Sequence, residues 1–152
     1  MNIERTLILF KPDALQRMII GKIINRFEEK GLKIVGLKMM EMTDEIAAKH
    51  YHAHINKSFF PMLVKFMKSA PIIAMVIEGE SAINVCRKIT GATFGIEAEP
   101  GTIRGDYSNS STCLNLIHSS ENKEAVEIEL PIFFKEEEIF NYTQTQGTWI
   151  HE

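Results

Sequence analysis

Five consecutive residues, Thr6 to Phe10 (TLILF), form an uninterrupted apolar run, β-rich in composition. A strand wetted on one face alternates apolar and polar residues, so a continuous run reads as a central strand buried on both sides. The run stops at Lys11-Pro12-Asp13. Proline pre-sets the first turn of a helix, which leaves Lys11 at the strand's end; from position alone Lys11 reads as a solvated cation.

The remaining elements must dress that strand. Ile19, Ile20, Ile23, Ile24 and Phe27 recur at helical spacing, and Gly31 reads as a left-handed cap ending their helix. Leu32 to Met42 reads as a second strand. Thr43-Asp44-Glu45 opens a short helix through Tyr51, Phe59 to Met67 forms another, and Ile72 to Ile77 is a third strand. A helix over Ser81 to Ile89 carries Arg87. Strand, helix, strand, helices, strand, helix is the order of an α+β sandwich with helices covering one sheet. The segment from Gly91 to Gly105 is long, irregular and rich in glycine, a texture that compact domains reserve for binding. A helix from near Asn122 to Leu130 should be broken or kinked by Pro131. A short acidic helix, Glu136 to Phe140, and a polar tail through Trp149 follow; Trp149 is expected to pack on the body or on a neighbouring subunit.

A chain of 152 residues is most simply one domain, 1–152. Its net charge of -3 argues against general nucleic-acid binding, so any anion site must be built from a few local cations. No apolar run approaches the ~20 residues that span a bilayer, and the N-terminus lacks a signal-peptide pattern. Cys86 and Cys113 fit no metal spacing and read as reduced thiols of a cytoplasmic protein. There is no GxxxxGK[ST] and no GxGxxG after a strand, which leaves P-loop and dinucleotide folds unsupported.

The chemistry gathers around His118. An imidazole is nucleophilic and largely neutral near pH 7. Asn115 and Ser120 flank it, Arg104 upstream suits phosphate oxygens, and Glu129 downstream can hold the ring in one tautomer. Nucleophile, orienting carboxylate and cation are the parts of a phosphoryl-accepting histidine. His50, His52 and His54 offer no third metal ligand and read as solvated helix-end histidines.

Over nearly its whole length the chain resembles the nucleoside diphosphate kinases. The resemblance is carried by ERTLILFKPDALQR, GKIINRFEEKG, HYHAH…FFPMLVKFM, the PGTIRGD segment and NLIHSSE. It implies a ferredoxin-like βαββαβ sandwich, a four-stranded antiparallel sheet covered by helices. It also implies ping-pong transfer of a γ-phosphate, mainly from ATP, to a nucleoside diphosphate. By resemblance, His118 is phosphorylated on Nδ1 while Glu129 holds the other nitrogen, with Ser120 alongside. Arg87, Thr93 and Arg104 clamp the phosphates, and Mg²⁺ rides on those phosphates without a clear protein ligand. Lys11 and Asn115 hold the sugar, Lys11 also reaching the transferred phosphate. Phe59 stacks on the base, Leu63 lines the same slot, and Tyr51 packs near His118 and bonds the phosphate region. Family members are homo-oligomers, and the tail favours a hexamer over a tetramer. The alternative is a nucleotide-binding or scaffolding protein of the same fold with weak turnover.

Several residues depart from the family pattern: Ser119 and Glu121 beside His118, Lys57-Ser58 before the paired phenylalanines, and Phe94-Gly95 after Thr93. One extra residue between Arg104 and Asn115 and Pro131 two places after Glu129 complete the set.

Overall fold

A computed structural model describes residues 2–145 and Trp149. Four strands form one antiparallel sheet: β1 (Ile3–Phe10), β2 (Lys33–Met40), β3 (Ile72–Glu80) and β4 (Ile117–Ser119), in the spatial order β2-β3-β1-β4. β1 is interior, and Leu7, Ile8, Leu9 and Phe10 are fully buried. The reason is that helices cover both faces, not one.

On the first face, Ile8, Phe10, Met75 and Ile77 meet Ile23 and Phe27 of α2 (Ile20–Glu29) and Ala82 and Cys86 of α5 (Ala82–Thr90). On the second, Leu7, Leu9, Ala74 and Val76 meet three more helices. These are α3 (Asp44–His50) through Ala47, α4 (Phe60–Met67) through Leu63 and Met67, and α7 (Lys123–Phe133) through Phe133. Each strand thus sends alternate side chains into two separate cores. The short α1 (Pro12–Gln16) begins at the proline after β1, and α6 (Ile103–Tyr107) lies within the glycine-rich segment. The topology is the βαββαβ sandwich implied by the resemblance, with α3 and α4 inserted between β2 and β3.

Local signals act as read at several points. The Thr43 side chain caps α3 by accepting from the Ile46 N–H, and Gly31 takes φ +84° after α2. Three readings are corrected. α7 runs through Pro131 to Phe133; proline falls in the last turn, where it deletes only the bond to the Glu127 carbonyl. The acidic segment makes a single 3-10 turn, Glu136–Glu138. The Gly91–Gly105 segment is partly regular, because Thr102 caps α6 by accepting from Gly105 N–H at 3.0 Å. Trp149 is 89% exposed and so does not pack on the body of its own chain; Ile150, His151 and Glu152 lie outside the described residues. Among the described residues no helix is long and apolar enough to cross a membrane.

Candidate active site

His118 sits in β4, paired with Leu9 of β1, so its backbone is held by a rigid interior strand. Its Nε2 lies 2.8 Å from Glu129 Oε2 on α7. The Ser120 hydroxyl donates to the same carboxylate oxygen at 2.6 Å. Burial pulls the Glu129 carboxyl upward, but the bonds from His118 and Ser120 outweigh it and hold the group below its ordinary value. An ionised Glu129 accepts, so Nε2 carries the ring's proton and Nδ1 keeps the free lone pair.

The loop before His118 is tightly tied. Ile117 N–H donates to Asn115 O at 2.8 Å, closing a three-residue turn around Leu116, which takes φ +57°. This is an uncommon conformation for a non-glycine residue, and two contacts hold it. Both oxygens of Asp13 accept from Leu116 N–H, at 2.9 and 3.1 Å, and Lys11 N–H donates to Leu116 O at 2.9 Å. The Lys-Pro-Asp end of β1 therefore sets the entry into β4.

A cleft of about 600 Å³ opens beside His118. Lys11, Arg87 and Arg104 line it as cations, with Thr93, Tyr51 and Ser119 nearby, and Phe59, Met62, Leu63 and Leu114 form its apolar part. Lys11 corrects its sequence reading: it is 7% exposed and donates to Cys113 O at 2.7 Å. Burial, then the charge of Arg104, brings its pKa down to about 8. Arg104 is also buried, and desolvation followed by the neighbouring Arg87 lowers it to about 10. Its guanidinium donates to Asn115 Oδ1 at 3.0 Å and to the carbonyls of Gly91, Ala92 and Ile117. Lys11 and Arg104, both buried and neither paired with a carboxylate among the described residues, make with Arg87 a site prepared for an anion.

The structure brings together most of the residues singled out in the sequence. Asn115 stands apart: it is 2% exposed and does not line the cleft. Its amide donates to Thr93 O at 3.2 Å and Thr112 O at 3.0 Å while it accepts from Arg104. In this geometry Asn115 staples the loops that present Thr93 and Arg104, and reaching a sugar would require exchanging one of those bonds. Tyr51 lines the cleft beside His118, but its buried hydroxyl has no hydrogen-bond partner among the described residues, and burial pushes its pKa up. Pro131, two residues past Glu129, leaves the His118–Glu129 contact intact.

Two residues escaped the sequence reading. Asp13 acts on a residue more than a hundred positions away, which no local pattern reveals. His50 is not a solvated histidine: its ring packs edge-to-face on His118 (4.8 Å between centroids), Tyr51 (4.5 Å) and Phe133 (5.1 Å). Burial, then the proximity of His118, takes its pKa down to about 3, so it is neutral at working pH. The run of three histidines around Tyr51 was the available signal. His54 instead lines the cleft with its ring 5.4 Å from that of Phe59.

A tethered imidazole, a cationic cleft and an apolar slot describe a place for a phosphorylated ligand with a flat ring. Comparison with known proteins points the same way. The family model for nucleoside diphosphate kinase matches residues 4–139. A nucleoside diphosphate kinase of Thermoplasma volcanium is 53% identical over 139 residues, 91% of this chain and 94% of the relative. One from Trichodesmium erythraeum is 50% identical over 149 residues, 98% and 99% of the two chains. Among solved structures, the Halobacterium salinarum enzyme in complex with CDP superposes with a TM-score of 0.94 at 44% identity, covering 98% of this chain and 99% of that one. The Borrelia burgdorferi enzyme, a transition-state mimic with vanadate and ADP, gives 0.91 at 37% identity, with coverage of 97% and 96%. With fold, site and sequence agreeing along almost its full length, this chain belongs to the nucleoside diphosphate kinase family.

Proposed function

We propose that this chain, read as one domain over 1–152, moves the γ-phosphate of a nucleoside triphosphate, mainly ATP, to a nucleoside diphosphate through His118. In the first half-reaction Nδ1 attacks the γ-phosphorus. A P–N bond forms, the bond to the β-phosphate oxygen breaks, and the nucleoside diphosphate leaves. The second half-reaction reverses these steps onto a different diphosphate. The observation that carries the reading is the Glu129–His118 bond at 2.8 Å, because a proton fixed on Nε2 makes Nδ1 the nucleophilic atom. Ser120 supports it by holding the same carboxylate oxygen.

Phosphoryl transfer asks for in-line positioning and charge neutralisation more than covalent chemistry. Arg87, Arg104 and Lys11 are suited to the phosphate charge, and Thr93 to an oxygen at the rim. Phe59 and Leu63 are suited to the base, and stacking tolerates any base. Asn115 keeps Arg104 and Thr93 in position. Magnesium, arriving on the nucleotide, supplies further neutralisation of the phosphates. The donor chemistry fits that route: the residues lining the cleft are cationic, hydroxylic and apolar, with no carboxylate among them. The CDP and ADP of the two solved relatives support nucleotides as ligands.

Free Cys86 and Cys113 support a cytoplasmic setting, and the resemblance supports a homo-oligomer, a hexamer before a tetramer. The scaffolding alternative is disfavoured by the intact cationic cleft, which a non-catalytic protein has no need to keep buried. The test is brief incubation with γ-labelled ATP and Mg²⁺, followed by addition of unlabelled GDP. An acid-labile, alkali-stable label on His118 that passes to GDP is expected. Failure to label protein that binds ADP would overturn the proposal in favour of the scaffolding alternative.

A further inference from the structure

His50, His118 and Glu129 each offer one donor atom, and the three atoms lie within 4.8 Å of one another; no other such trio occurs among the described residues. Both ring nitrogens of His50 are shielded from solvent and have no hydrogen-bond partner among the described residues. A neutral imidazole carries one N–H and one lone pair, so a buried lone pair is left facing no proton and no cation. The His50 and His118 rings stand at 90° to each other.

We infer that His50, His118 and Glu129 form an inhibitory site for a borderline transition-metal ion, with Zn²⁺ the best match. Two imidazoles and a carboxylate are the donor set of open zinc sites, whereas Mg²⁺ prefers oxygen donors and retains its waters. His118 and Glu129 are already adjacent at 2.8 Å. Zinc takes its donors at ~2.0–2.2 Å, so the three side chains would have to close around the ion from their present spacing of up to 4.8 Å.

The inhibitory consequence follows from counting protons, and rests on His118 being the nucleophile proposed above. A neutral imidazole has a single N–H. With Nε2 donating to Glu129, Nδ1 holds the lone pair that attacks phosphorus. An ion on Nε2 needs the lone pair there, so the ring's proton shifts to Nδ1, which then cannot form a P–N bond. Once Nδ1 carries phosphate, the Nε2 proton has no second ring nitrogen to occupy, and an ion could enter only by expelling it to solvent. Ion and phosphate thus compete for one ring.

The full chain would be titrated with Co²⁺, read by its visible absorption, and then with Zn²⁺ at buffered free-ion concentrations. Wild type is expected to bind one ion per chain, with Zn²⁺ displacing Co²⁺. His50→Phe keeps an aromatic ring in the packing, and His50→Gln keeps a polar group without an imidazole. Each should weaken the ion by more than the ~10–100-fold that losing an outer-shell partner costs. Label uptake from γ-labelled ATP should fall in step with ion occupancy in wild type but resist the same free Zn²⁺ in both variants. Equal ion affinity in wild type and both variants overturns the site. Ion binding that depends on His50 but leaves label uptake untouched overturns the tautomer argument. If wild type takes no label without Zn²⁺, the kinase reading fails, while the Co²⁺ titration still decides whether the site exists.

Discussion

Lys11 is a charge kept where charge is costly. It is buried beside Arg104, and it donates to the carbonyl of Cys113. Its proton is lost near pH 8 instead of the usual 10.5. Below that pH the group is cationic and serves a phosphate; above it the free site loses one of its charges. kcat/KM, which reports the free enzyme, should therefore fall on an alkaline limb near pH 8. An anionic nucleotide in the cleft stabilises the protonated amine, so the limb in kcat should lie higher. Lys11→Gln should lower kcat/KM by about ten- to a hundred-fold, the worth of a hydrogen bond to a charged group, and flatten that limb. A wild-type kcat/KM profile level to pH 9.5 would remove Lys11 from the phosphate path. The example also marks what a sequence can convey about single residues. His118, Arg104 and Glu129 were legible because their types and order match a known chemistry. The burial of Lys11 was not, because it depends on Cys113 and Arg104 folding over the end of β1. His50 was misread for the same reason, since the surfaces that enclose it come from β4 and α7.

Among the elements, α6 shows how a short helix can control a distant charge. Thr102 accepts from Gly105 N–H at the start of α6, and Arg104 rides between them into the cleft. A Cβ at Gly105 would collide with the Glu99 carbonyl, a backbone atom that cannot swing away. Gly21 in α2 has nothing within 4 Å of a built Cβ and no positive φ. The two glycines should respond oppositely to alanine. Gly21→Ala should raise stability by about 0.5–1 kcal/mol by restricting the unfolded chain. Gly105→Ala should lower it by about 1–3 kcal/mol through overpacking and slow phosphate transfer by displacing Arg104. Thermal melts and label uptake on both variants check this; an unperturbed Gly105→Ala would mean that α6 does not fix Arg104. Helix periodicity, the Thr43 cap and the Gly31 stop were visible in sequence because they act within one or two turns. α6 and the passage of α7 through Pro131 were obscured, since glycine and proline usually mark breaks and only tertiary contacts outweigh them.

At the scale of the molecule, the sheet has one long open side. Among the described residues β2 pairs only with β3, and its far edge is partly covered by the chain's own C-terminal segment. Phe140 N–H donates to Val35 O at 2.8 Å, and the Tyr142 hydroxyl donates to Ile34 O at 2.6 Å. That cover stops short of Leu37 and Met39, which are 51% and 61% exposed on one face of the strand. Lys38 between them is turned to Glu138 at 2.9 Å. An apolar edge strand left open invites pairing with another chain, and proteins usually block it with charge, proline or a covering segment. Here the blocking devices end where the apolar pair begins, so a second copy of this chain is the cover that fits the proposed homo-oligomer. The Leu37→Lys, Met39→Lys double variant should lower the mass in solution, measured by light scattering. The monomer fold should survive, because both side chains already face solvent and neither belongs to a core cluster. An unchanged mass would locate the subunit contacts elsewhere. Truncation after Thr145, which leaves Phe140 and Tyr142 on the edge, would then ask whether the tail joins the subunits.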